Sequence, residues 1–192
     1  MLLLILLYGL IIGSFLNVLI YRIPRNENIA WPGSHCTTCG HGLKWYDNIP
    51  LVSYIILRGR CRYCGSHISA QYPIVEALNA VLYVSMYAKF GLGADFIAYS
   101  LISSLLLAIF VVDLKGMIIP DSLVVGILIL SVVHKSVGYF LYNLPFGIFD
   151  SILGLLAAGG LFLIIMVVSG GGMGGGDVTL AGALGFVLGV EY

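Results

Sequence analysis

The chain has 192 residues, of which 60% are hydrophobic and only 9% charged, with a formal net charge of zero and a mean hydropathy of +1.05. A soluble core cannot bury that much apolar surface, so a secreted or cytosolic globule is excluded and an all-α polytopic membrane protein is indicated. The neutral total hides an asymmetry: six of the nine basic residues (Arg22, Arg25, Lys44, Arg58, Arg60 and Arg62) fall in one hydrophilic segment, which the positive-inside rule places in the cytoplasm.

Leu2 to Ile20 is a largely apolar run of 19 residues, roughly 28 Å as a helix, enough to cross a hydrocarbon core. It lacks an N-terminal basic residue and a small-residue cleavage site, and is expected to be an uncleaved anchor. Tyr21 to Tyr72 is polar, with turn signals at Pro24, Pro32-Gly33, Gly40 and Gly65. Further spans are expected at Pro73 to Phe90, Phe96 to Val112, Ser122 to Tyr142, Phe146 to Val168 and, shorter, Val178 to Val190. About six transmembrane helices result, dividing the chain into a first span (1–21), a small cytoplasmic tetracysteine domain (22–72) and a membrane domain (73–192). Alternation then puts Gly91 to Ala94 and Asn143 to Pro145 outside, and Asp113 to Asp121 and Ser169 to Asp177 at the cytoplasmic face. Lys115 agrees with that orientation, whereas Lys89 and Lys135 mildly oppose it. No internal repeat is visible.

Cys36-x-x-Cys39 and Cys61-x-x-Cys64 form two paired-thiolate knuckles able to close one tetrahedral Zn(2+) site. Four thiolates saturate the metal, so its role would be structural. Disulfides or redox pairs are the alternative, disfavoured in a compartment that keeps thiols reduced. A segment this poor in large apolar groups would draw much of its folding free energy from the metal. His35, His41 and His67 adjoin the cysteines but are expected to face solvent.

Asp113 and Asp177 each end a long apolar run, and ionisable groups at membrane depth are costly enough to mark function. Asp113 sits where a helix ends, opposing the macrodipole. Pro120 breaks the chain before the next helix, and Asp121 has a ready role there as N-cap. Gly174-Gly-Gly176-Asp177 opens the last helix, and its glycines allow close approach of a peptide. A flexible linker with Asp177 as N-cap and a phosphate-cradling loop are the other readings, the latter weak without a following Lys. Two carboxylates sharing a site cannot both ionise cheaply. One would hold a proton while the other activates water; Asp177, at a helix N-terminus, is the expected base and Asp113 the acid.

Together these blocks resemble the type IV prepilin peptidases, the bifunctional leader peptidases and N-methyltransferases of pilus and type II secretion systems. The resemblance runs through Gly13-Ser-Phe-Leu-Asn17 to Arg22, the tetracysteine segment, Asn48-Ile-Pro50-Leu-Val-Ser-Tyr, Arg58-Gly-Arg-Cys61, Ile68 to Glu76, Asp113 to Asp121, and the Gly-x-Gly-Asp ending at Asp177. It implies a GxGD intramembrane aspartic protease of the bacterial inner membrane with Asp113 and Asp177 catalytic and Gly174 and Gly176 in the peptidase loop. It implies a prepilin or pseudopilin substrate, cut after a glycine at the cytoplasmic face and methylated at its new N-terminus from S-adenosylmethionine. The methyl-transfer function maps by the same resemblance to the cytoplasmic segment with Gly59, Arg60 and Glu76. Arg60 has the simpler reading of a solvated or headgroup-facing charge, and Glu76 is expected to orient the loop or the substrate, or to pair with an Arg. Asn17 is expected to hydrogen-bond between helices.

Thr179 departs from the family's usual Lys, Ser169 to Gly172 lacks its usual basic residue, and the chain stops about one short helix after Asp177, where relatives continue. The sequence leaves open whether this is a truncation or a short natural variant. Membrane lipid is an expected partner and nucleic acid is not. Two rivals remain at this stage: a proton-coupled transporter using the aspartates as a relay, and a catalytically dead structural subunit.

Overall fold

A computed structural model describes residues 1–142, 147–170 and 172–190. The expected external turn at Asn143 to Pro145, the start of the fifth span at Phe146, and Tyr192 lie outside these residues. Seven α-helices occur among them: α1 (Leu2–Arg22), α2 (Val52–Ile56), α3 (Gln71–Phe90), α4 (Ala94–Gly116), α5 (Asp121–Tyr142), α6 (Ile148–Val168) and α7 (Gly175–Leu188). Each of the six expected spans is thus a helix, because an apolar run in lipid must satisfy its backbone internally. Four of them (α1, α4, α5 and α6) are long and apolar enough to cross a membrane by length and composition. α3 carries Gln71, Glu76, Asn79 and Lys89, and α7 has only 14 residues.

The chain forms two compact units, Met1–Gly91 with Leu106–Ala108, and Leu92–Leu105 with Ile109–Tyr192. In the first, α1 and α3 pack through small residues: a Cβ on Gly9 would come within 2.7 Å of the Ala80 backbone, and one on Gly13 within 2.8 Å of the Glu76 backbone. The contact is cemented by polar side chains. Asn79, fully buried, donates to the Gly9 carbonyl at 2.7 Å. Asn17 donates to the Tyr72 carbonyl at 3.2 Å and accepts from Gln71 at 3.3 Å, the interhelical role its position implied.

Between α1 and α3 the chain contains no strand among the described residues, only 3-10 turns at Ile23–Arg25 and Trp45–Asn48, helix α2, and two isolated antiparallel bridges, His35 with Gly42 and Arg60 with His67. Arg22 organises its start. The buried guanidinium donates to the carbonyls of Asn28, Ile29, Pro32 and Gly33 at 2.5 to 3.2 Å. A charge read from sequence as an orientation signal is therefore also the peg around which residues 28–33 fold.

In the second unit α6 and α7 meet backbone to backbone. A Cβ on Gly154 would collide with the Gly185 carbonyl, one on Gly185 with the Gly154 carbonyl, and one on Gly159 would approach the Gly182 Cα at 3.3 Å. This close approach seats α7, which is too short to hold its place by length.

Candidate active site and metal centre

The two knuckles are copies of one another, twenty-five positions apart. In the first, Cys36 N–H donates to His41 O, Gly40 N–H to Cys36 O and Leu43 N–H to Ser34 O; in the second, Cys61 N–H donates to Ser66 O, Gly65 N–H to Cys61 O and Ile68 N–H to Gly59 O. Gly40 and Gly65 take matching left-handed conformations, φ 71° and 72°, which glycine adopts without strain. The expectation of no internal repeat is thereby corrected. Only Cys-x-x-Cys-Gly is common to both knuckles, so the remaining positions carry no sequence signal of the shared backbone.

The pairing brings all four sulfurs within 4.8 Å of one another, as free thiols. Cys36 Sγ and Cys64 Sγ are 3.9 Å apart, close to the roughly 3.8 Å edge of a tetrahedron with Zn–S bonds of about 2.3 Å. The donor set fits a metal ion and leaves no histidine in the cluster. His41 and His67 are exposed and His35 is half-buried, its Nδ1 at 3.1 Å from the Gly33 carbonyl.

The thiols do not share their protons evenly. The Cys39 backbone N–H draws the Cys36 thiol down to about 6 against desolvation. Cys39 moves the other way: the His41 backbone N–H lowers it, but desolvation and the Cys64 and Cys36 sulfurs carry it up to about 11. Cys64 is lowered, first by the Ser66 hydroxyl, which lies 3.1 Å from its sulfur. A buried carboxylate ties this lobe to the preceding turn: Asp47 accepts from Arg62 Nε at 2.8 Å and from the Lys44 N–H at 3.3 Å. Asp47 raises the Arg62 pKa in turn.

Gly59 and Glu76 both act on α2. Gly59 is buried at φ 65°, and a Cβ there would meet the Tyr54 ring at 3.0 Å. Glu76 accepts the Leu51 N–H at 2.8 Å; it orients the loop, and no arginine pairs with it among the described residues. Arg60 is exposed.

The aspartates lie in the second unit. Asp113 is in the last turn of α4, which ends when Met117 turns left-handed (φ 50°) and its N–H closes on the Asp113 carbonyl at 2.7 Å. Its side chain is exposed rather than buried in protein. Pro120 leads into α5, its carbonyl taking the Leu123 N–H at 3.0 Å. Asp121 is thus the first helical residue, one place inside the cap position expected for it.

Asp177 is likewise inside its helix rather than at the cap. Gly174 caps α7, and the half-buried Asp177 reaches back so that Oδ2 accepts the Gly174 N–H at 3.2 Å. The intervening Gly176 rests against the α4–α5 connection: a Cβ there would sit 2.8 Å from the Ile119 Cβ and 3.5 Å from the Ile119 carbonyl. The N-terminus of α7 is therefore laid on the segment that follows Asp113. The contacts of the described residues do not join the two carboxylates directly. Thr179 bonds its own helix at the Gly176 carbonyl.

A set of apolar helices together with a lobe whose four cysteines could hold a metal ion defines a multi-pass membrane protein. The chain belongs to the type IV leader peptidase family: residues 100–192 match the family model of that description, and residues 7–90 match that of the bacterial peptidase A24 N-terminal domain. It is 34% identical to the prepilin leader peptidase/N-methyltransferase of Vibrio cholerae, over 96% of this chain and 76% of that protein. It is 33% identical to that of Pseudomonas aeruginosa, over 93% and 70%. The protein of the same description from Myxococcus xanthus is 44% identical over 61% of this chain and 35% of its own length. No solved structure matches.

Proposed function

We propose that this chain removes the basic leader from type IV prepilins or pseudopilins, cutting after a glycine at the cytoplasmic face of the bacterial inner membrane, and methylates the new N-terminus. The observation that carries the peptidase reading is the Gly176–Ile119 contact, which lays the Asp177 helix end on the segment after Asp113. Asp177 accepts the Gly174 N–H at the N-terminus of α7. In this role it takes a proton from the attacking water while Asp113 gives one to the scissile carbonyl oxygen, so the pair exchanges acid and base forms over the reaction. Membership of the family supports the same assignment, and neither the family nor the helix arrangement favours the proton-relay transporter.

The methyl-transfer role falls to residues 22–72 with Gly59, Arg60 and Glu76, and the peptidase role to 73–192. S-adenosylmethionine would supply an electrophilic methyl to the free amine. Zn(2+) would be held by Cys36, Cys39, Cys61 and Cys64 in a structural role.

Asparagine variants in bilayers test the assignment, with cleavage of a prepilin read by mass. Asn at 177 can still accept the Gly174 N–H, so Asp177→Asn should fold and fail to cut. Asp113→Asn should also fail, and Asp121→Asn should cut. Cleavage by Asp177→Asn, or its loss in Asp121→Asn alone, would overturn the pairing.

A further inference from the structure

Helix α2 turns its apolar side the wrong way for a cytoplasmic loop. Val52, Ile55 and Ile56 share one face at i, i+3 and i+4 spacing, and they are 48%, 71% and 69% exposed, while Ser53 and Tyr54 are half-buried. The 3-10 turn Trp45–Asn48 packs on α2 and adds the exposed Trp45.

The depth of this face follows from its tether. Glu76, which holds the Leu51 N–H one residue before α2, packs its Cα against Gly13 of α1, next to Ser14. Ser14 is eight residues before the end of α1 at Arg22, about 12 Å toward the middle of that span at 1.5 Å per residue. A cytoplasmic segment held at that level has folded back to membrane depth. Backbone there needs a partner inside the protein, and Glu76 supplies one for an amide that helix geometry leaves free. Directly after α2 come Arg58 and Arg60, both exposed, placed to return to anionic headgroups.

We infer that α2 is a re-entrant interfacial helix whose Val52, Ile55 and Ile56 face lies among lipid acyl chains at the cytoplasmic rim, with Arg58 and Arg60 at the phosphates. Anionic phospholipid is the occupant that matches both the apolar stripe and the cations beside it.

The test uses the full chain with its two tryptophans replaced by Phe and a single reporter introduced as Ile55→Trp, or as Ile56→Trp should the first lose its helicity or metal content. The protein is reconstituted in phosphatidylglycerol and phosphatidylethanolamine bilayers with plain or brominated acyl chains. A blue-shifted emission, quenched more by bromines near the headgroup than by those at the chain ends, is expected. Water-like emission without quenching would overturn the inference. So would a blue shift that bromines do not quench and that grows with protein density, marking a second copy, or with added prepilin, marking substrate.

Discussion

At the scale of single residues, the glycines before Asp177 are not equivalent. A Cβ at Gly175 meets nothing within 4 Å, while one at Gly176 would press on the branched Cβ of Ile119, which cannot swing away. Gly176→Ala should therefore force α7 off the α4–α5 connection at a cost of about 1–3 kcal/mol, lowering the thermal midpoint and prepilin cleavage together. Gly175→Ala should leave both near the parent values. Equal losses in the two variants would show that the motif needs flexibility rather than contact. The glycine-aspartate motif itself is legible in the sequence, but the division of labour within it is not, because it depends on Ile119, fifty-seven positions away.

At the scale of elements, the apolar helices could be read from their runs because lipid removes every alternative to internal hydrogen bonding. Helix α2 could not: five residues give no periodicity, and its position is set by Glu76 and Gly59, distant in sequence or shielded by Tyr54. The knuckle repeat was half legible, through its cysteines and glycines alone. It has an energetic consequence. The two ten-residue loops meet through their sulfurs and through the His41–Tyr63 ring contact, centroids 3.6 Å apart, so removing the metal should loosen both. Chelation should raise amide hydrogen exchange at residues 36–43 and 61–68 while the exchange of α6 and α7 stays unchanged. At pH 7, with Cys36 lowered to about 6 and Cys39 raised to about 11, binding must expel the Cys39 proton. Apparent zinc affinity should then climb as pH rises through neutrality, read by competition with a chelating dye; a flat profile would mean that another group supplies the ligand.

At the scale of the whole molecule, the two compact units coincide closely with the two family models, 7–90 and 100–192. All four cysteines, Gly59, Arg60 and Glu76 lie in the first, and Asp113, Gly174, Gly176 and Asp177 in the second. If the chemistry follows that division, each step should fail alone. Glu76→Ala removes the acceptor that holds the Leu51 amide and frees α2, but alters no group in the second unit. It should lower the methylated fraction of product several-fold with prepilin cleavage unchanged. Asp177→Asn should abolish cleavage and, with a full-length prepilin, methylation as well, since no free N-terminus forms. Given a pilin already cut, the same variant should methylate at the parent rate. Mass spectrometry reads both steps in one sample, as leader loss and as the gain of one methyl group. Failure of Asp177→Asn on the pre-cut pilin would show that the second unit takes part in methyl transfer, and equal loss of both steps in Glu76→Ala would show that the loop helps to seat the leader.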